Sequence, residues 1–244
     1  MNDLFTPKLN VDGPRATITL CRPAEHNRID PDDIEVLQGY LESVITSPAI
    51  RVLVITGTGE RTFSSGYTIQ AIRDRLDDRF ERLLDTLETL PLPVICALNG
   101  SVYGGAIDLA LCCDFRLGVR DSRMLMPASK FGLHYYPGGI RRYVTRLGLS
   151  AAKRLFLTAL PVDAEEMLRM GFLTELVDAK ALDKEISRYA EAIVACVPEV
   201  VISMKGFLNQ TADGNIDIGA QRAAYEKFLA STELADRIAA LDKS

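Results

Sequence analysis

The stretch from Pro93 to Asp114, PVICALNGSVYGGAIDLALCCD, restricts the fold of this chain more than any other. Pro93-Val94-Ile95-Cys96-Ala97-Leu98 is a short apolar run that reads as one buried strand, and Asn99-Gly100 ends it with residues that tolerate positive φ. Gly104-Gly105 then opens a segment in which Ile107, Ala110 and Leu111 recur at helical spacing, so the pattern predicts a helix beginning at the two glycines. The first amides of a helix have no internal partner and the macrodipole makes that end partly positive. The N–H of Gly105 is thus expected to face a developing negative oxygen, and the missing Cβ lets a ligand come close. Asp108 lies three residues on and shares roughly the face of that amide. It has two readings: a general acid or base beside an anion site, or a buried carboxylate paired with an arginine of the fold.

A second strand-to-glycine-turn unit lies upstream, where Arg51-Val52-Leu53-Val54-Ile55-Thr56 precedes Thr62-Phe63-Ser64-Ser65-Gly66-Tyr67-Thr68. Together, FSSGYTI and GSVYGGAIDLALCCD resemble the F-S-A-G-x-D-L turn and the G-x-x-x-G-G-G-x-E-L-A-x-x-C-D motif of the crotonase superfamily, the enoyl-CoA hydratase/isomerase family. The similarity extends over most of the chain. It implies an α/β crotonase fold of repeated ββα units forming a spiral core over residues 1–180, with a helical C-terminal trimerisation region over 181–244. The activity implied is that of an acyl-CoA-processing lyase or isomerase of the kind met in fatty acid metabolism. No permanently bound cofactor is expected, because the substrate carries coenzyme A. The backbone N–H groups of Tyr67 and Gly105 are the implied oxyanion hole for the thioester. CoA contacts are implied at Arg22, Ser65 and Gly66, with Cys21-Arg22-Pro23 through Arg28-Ile29 resembling the family's R-P-x-x-x-N-A-L segment except for Arg-Ile in place of Ala-Leu. A homotrimer or homohexamer is the implied assembly.

The chain also departs from the hydratase pattern. Family hydratases carry a second catalytic glutamate in P-E-x-x-x-G, a position held here by Ala128, and Asp108 replaces the first glutamate with a carboxylate retracted by roughly 1.5 Å. Hydration needs one group to activate water and another to protonate carbon, so standard hydration is doubtful on these residues. Downstream, Gly132-Leu133-His134-Tyr135-Tyr136-Pro137-Gly138-Gly139 brings three polar rings together. In the methylmalonyl-CoA decarboxylase branch a tyrosine stands where Tyr135 does, which makes a malonyl-type acyl-CoA decarboxylase the sharpest alternative. Tyr135 and Tyr136 either act on the enolate or only narrow the acyl pocket, and His134 either shuttles protons or serves as a structural hydrogen-bonder. Arg141 and Arg142 either hold an acidic acyl tail or lie at the surface. A third reading is a non-catalytic CoA-thioester binder that kept the fold.

Composition bounds these readings. With 244 residues, 48% hydrophobic, the chain can bury one large core. A net charge of −5 argues against a nucleic-acid surface. No apolar run approaches the about 18 residues of a membrane span, and no export signal is seen, so a cytoplasmic location is expected. Five scattered cysteines and two histidines offer no metal-ligand spacing. Helices are expected from Pro31 to about Ser47, from Ile69 to Leu90, from Ala181 to Val197, from Pro198 to Leu208, and from about Ile218 to Leu241.

Overall fold

A hairpin begins the part of the chain that the computed structural model describes, residues 5–241. Strands β1 (Lys8–Asp12) and β2 (Arg15–Leu20) pair antiparallel, and Gly13, at φ +55°, makes the turn between them. Helix α1 (Asp33–Thr46) follows. Three units then repeat one plan, in which each contributes a strand to each of two sheets. The first holds β3 (Val52–Gly57), β4 (Thr62–Ser64) and helices α2 (Ile72–Arg75) and α3 (Asp78–Glu88). The second holds β5 (Val94–Leu98), β6 (Ser101–Tyr103) and α4 (Gly105–Cys112). The third holds β7 (Phe115–Val119), β8 (Arg123–Leu125), a single 3-10 turn over Ala128–Phe131, and helices α5 (Pro137–Leu147) and α6 (Leu149–Thr158). Strand β9 (Val162–Asp163), helix α7 (Ala164–Arg169) and strand β10 (Glu175–Val177) complete the sheets, and α8 (Leu182–Ala195), α9 (Pro198–Ala212), α10 (Ile218–Leu229) and α11 (Thr232–Leu241) end the described chain.

The larger sheet runs β1-β2-β3-β5-β7-β10 and is parallel except at its opening hairpin; the smaller runs β4-β6-β8-β9. Both faces of the larger sheet are covered, which explains why VLVITG and VICAL read as continuous apolar runs. Ile18, Leu53, Ile55, Cys96 and Leu98 join the main core with α1, α3 and α4. Val52, Val54, Ile95, Ala97, Leu117 and Val119 pack instead against Leu182, Ile186 and Ala190 of α8. Helix α8, the first of the region expected over 181–244, therefore closes the sheet. Beyond it, the one buried side chain of α9 is Lys205, whose ammonium donates to Leu92 O (2.8 Å) and Asp114 Oδ2 (2.7 Å), fixing that helix to the start of β5. The outermost ends of the two expected regions, residues 1–4 and 242–244, lie outside the described residues.

Two expected helices are broken. The one expected over Ile69 to Leu90 stops after Arg75 because Asp77 takes extended backbone and its carboxylate accepts from Arg79 N (3.0 Å), restarting the chain as α3. The last helix divides in the same way at Ser231, whose hydroxyl accepts from Leu234 N (3.3 Å).

Candidate active site

The two glycine turns meet. Gly66 sits at φ +78°, and the Ser64 hydroxyl fixes the turn by accepting from Gly66 N (3.0 Å) and donating to Asn27 O (2.7 Å). Ile29 holds the next residues in a strand-like bridge through Ile29 N to Gly66 O (2.8 Å) and Thr68 N to Ile29 O (3.0 Å), so the N–H of Tyr67 between them faces the other way. Gly104, at φ +52° and ψ −126°, is in a conformation that only glycine adopts comfortably, and it leads directly into Gly105 at the first position of α4. Neither the Tyr67 nor the Gly105 amide has a hydrogen-bond acceptor among the described residues. The two lie close together. A Cβ placed on Gly66 would stand 2.6 Å from Gly105 N, and one placed on Gly105 would stand 3.5 Å from Tyr67 N. Phe80 of α3 backs both, packing edge-on against the Tyr67 ring with centroids 5.5 Å apart and lying 3.1 Å from the Cβ that Gly105 lacks. The Tyr67 hydroxyl donates to Arg75 O (2.8 Å), which anchors its ring.

One turn along α4, Asp108 is completely buried and committed to a partner. Its Oδ1 accepts from Arg142 Nε (2.9 Å), its Oδ2 accepts from Arg142 Nη2 (3.1 Å), and the Tyr136 hydroxyl donates to that same Oδ2. This is the two-pronged geometry a guanidinium offers a carboxylate. Arg142, also completely buried, reaches Asp85 (2.8 Å) and Glu88 (3.1 Å) through Nη1. Glu88 in turn takes Arg141 and, at 3.3 Å, Arg146, while Arg141 pairs with Asp213 and Arg146 bonds Asn209 of α9 (3.1 Å). Neither Arg141 nor Arg142 is left as a free cation for an acidic acyl tail, nor is Arg142 at the surface.

Burial alone would raise the Glu88 carboxyl, but the guanidiniums of Arg141 and Arg142 outweigh it and hold Glu88 below its ordinary value of 4.5. A depressed folded-state pKa contributes stability that is complete above the unfolded value and is lost as pH falls through the folded one. The stability margin of the wild type over Glu88→Gln is therefore expected to be full at pH 7 and to shrink only below about pH 4.5. Urea melts of both proteins from pH 7 to pH 3 check this; a margin that stays constant would remove Glu88 from the acid response.

The remaining expected site residues divide by position. Tyr135 lies against Asp108, stacked on Tyr136 (4.7 Å, 20°) and packed against Phe156 (5.0 Å) and Tyr143 (5.9 Å). Its hydroxyl and that of Tyr143 are buried without a partner among the described residues. Burial pushes the phenols of Tyr135, Tyr136 and Tyr143 well up, so all three keep their protons. His134 is exposed, its Nδ1 2.8 Å from Tyr135 O. Arg22 is held at the N-terminus of α1 by both oxygens of Asp33 and by Asp30 (3.4 Å). Ser65 is half-buried beside Gly66, its amide donating to His26 O (2.8 Å), and Ala128 is buried at its 3-10 turn. Sequence reasoning passed over Glu88, although the apolar face it reads over Leu76, Phe80, Leu83, Leu84 and Leu87 continues onto that glutamate one turn past Leu84.

Most of the chain also has known counterparts. The model of the enoyl-CoA hydratase/isomerase family matches residues 15–239. Crotonyl-CoA hydratase of Syntrophomonas wolfei subsp. wolfei is 28% identical over 212 residues, 83% of this chain and 80% of that protein. (E)-benzylidenesuccinyl-CoA hydratase of Thauera aromatica is 30% identical over 203 residues, 81% of this chain and 79% of that protein. In fold, the crystal structure of enoyl-CoA hydratase from Bacillus anthracis superposes with a TM-score of 0.87 at 23% identity, covering 98% of this chain and 96% of that one. The family match over residues 15–239 and the 30% relative show that the chain belongs to the enoyl-CoA hydratase/isomerase family.

Proposed function

We propose that this protein binds an acyl-CoA thioester with its carbonyl oxygen between the N–H groups of Tyr67 and Gly105 and stabilises the enolate of that thioester. The observation that carries the reading is the pair of acceptor-free amides, brought together from two loops and preorganised by Gly66, Gly104 and the Phe80 ring. Donors fixed in advance cost no reorganisation as charge develops, and losing one such donor typically costs about 3 kcal/mol of barrier. Coenzyme A arrives with the substrate. The exposed apolar residues of α9 to α11, among them Met204, Leu208, Ile218 and Leu229, support self-association, for which the resemblance implies three or six copies.

A specific observation favours one reaction over hydration. Both oxygens of Asp108 are engaged by Arg142 and Ala128 carries no functional group, so the two groups that syn-hydration requires are not free at these positions. Decarboxylation of a malonyl-type acyl-CoA needs neither. The bond to the carboxylate breaks, its electron pair enters the thioester enolate held by the two amides, and CO2 leaves. The α-carbon then takes a proton that comes from water and is relayed through the Tyr135 hydroxyl, which is protonated before and after.

The test is a panel of acyl-CoAs, including malonyl- and methylmalonyl-CoA, incubated in heavy water and followed for CO2 and for deuterium at the α-carbon. Release of CO2 with one deuterium incorporated is the expected result, and Tyr135→Phe is expected to slow it about 100-fold. Deuterium exchange without CO2 on simple acyl-CoAs would retain the enolate reading and reject decarboxylation. Tight binding with no exchange and no turnover on any member would leave a non-catalytic CoA-thioester binder.

A further inference from the structure

The Tyr135 ring stands between the buried Asp108 carboxylate and a cavity at the surface. On one side lies the Asp108 face of α4. A Cβ placed on Gly139 would stand 2.6 Å from Tyr135 Cδ1 and 3.0 Å from Asp108 Oδ2, so ring and carboxylate close on a single point of α5 that only glycine leaves open. On the other side lies a cavity of about 300 Å³, open to solvent between α5 and α6 and lined by Tyr135 together with Leu133, Ile140, Val144, Phe156 and Leu157. That volume is at the lower end of what small-molecule sites use. The Tyr135 hydroxyl has no hydrogen-bond partner among the described residues, so the ring is held by packing against Tyr136, Phe156 and Tyr143. A wall held by packing alone is removed by truncating its ring.

We propose that Tyr135 sets the acyl length this protein accepts. This rests on the acyl-CoA reading above. A thioester gripped at the Gly105 amide and extending its acyl chain along α4 passes Asp108 within one helical turn, about 5 Å, and then meets the Tyr135 ring. Short acyl groups end before that ring. Longer ones require the space behind it, which is apolar and of a size for several methylenes. Tyr135 is thus a specificity-determining residue, and the α5–α6 cavity is the room its ring denies to longer chains.

The test compares Kd for butyryl-CoA and octanoyl-CoA, by calorimetry, in the wild type, Tyr135→Ala and Tyr135→Phe, so that the readout is a ratio independent of turnover. Burying one methylene is worth about fourfold. Tyr135→Ala is expected to move the octanoyl-to-butyryl ratio at least 10-fold toward octanoyl-CoA, whereas Tyr135→Phe, which keeps the ring, is expected to hold the wild-type ratio. Phe156→Ala, which enlarges the cavity behind an intact wall, should also leave the ratio unchanged. If Tyr135→Ala does not fold, Tyr135→Leu takes its place with a smaller shift in the same direction. An unchanged ratio in a folded Tyr135→Ala protein, or an equal shift in Tyr135→Phe, overturns the proposal while leaving the acyl-CoA reading standing. Failure of the wild type to bind either thioester overturns both.

Discussion

Replacing Arg142 with methionine is expected to cost about 3–5 kcal/mol of folding stability, because it strands a completely buried Asp108 carboxylate with only the Tyr136 hydroxyl for company. For a chain of this size that loss corresponds to a fall in Tm of about 6–20 °C. Methionine keeps much of the volume, so the effect reports the abandoned charge rather than a cavity. The double variant Asp108→Asn, Arg142→Met removes the charge as well and is expected to recover a large part of the loss, a coupling that additive effects would not give. Thermal melts of the four proteins measure it. If Arg142→Met lies within about 1 kcal/mol of the wild type, the pair does not hold this part of the fold together.

Gly66→Ala is expected to lower turnover at least about 100-fold, the scale of losing one oxyanion donor. The added methyl would lie 2.6 Å from Gly105 N, 2.7 Å from Ala106 N and 2.9 Å from Tyr103 O, all backbone atoms, so one turn must move away from the other. Gly132→Ala is the matched control. Gly132 also has positive φ, +71°, but a methyl there meets nothing within 4 Å, so it carries only the backbone penalty of about 1–2 kcal/mol. The heavy-water exchange assay compares both variants at a temperature where each is folded. Wild-type exchange in Gly66→Ala would show that the spacing of the two amides is not what matters.

Much of this arrangement was legible in the sequence, and the parts that were not share a physical cause. The strand-turn-helix at Pro93 to Asp114 is written locally: parallel strands covered on both faces leave unbroken apolar runs, and a helix beginning at two glycines needs no distant residue to specify it. The break at Leu76-Asp77 was hidden because the apolar stripe runs on through it, and only the Asp77 carboxylate taking the Arg79 amide decides that the helix restarts there. The partner of Asp108 was less legible still. Arg142 lies 34 positions downstream in a basic cluster whose members look alike, and nothing short of the packing of α4 on α5 selects Arg142 for the interior while turning Arg141 toward Glu88 and Asp213. Arg22 shows the same limit, since its engagement by Asp33 and Asp30 depends on how α1 returns to the turn before it.

The amides at positions 67 and 105 belong to the main chain, and this has an evolutionary corollary. Any side chain except proline's leaves the nitrogen–hydrogen bond in place, so point changes at Tyr67 remodel the surrounding ring without erasing the donor. On the proposed reading, the grip on an oxygen is inherited with the path of the polypeptide, whereas the groups at 108, 128, 135 and 136 can be exchanged one by one. If the two amides hold a thioester as proposed, a scaffold built like this can change which bond it breaks long before it loses that hold.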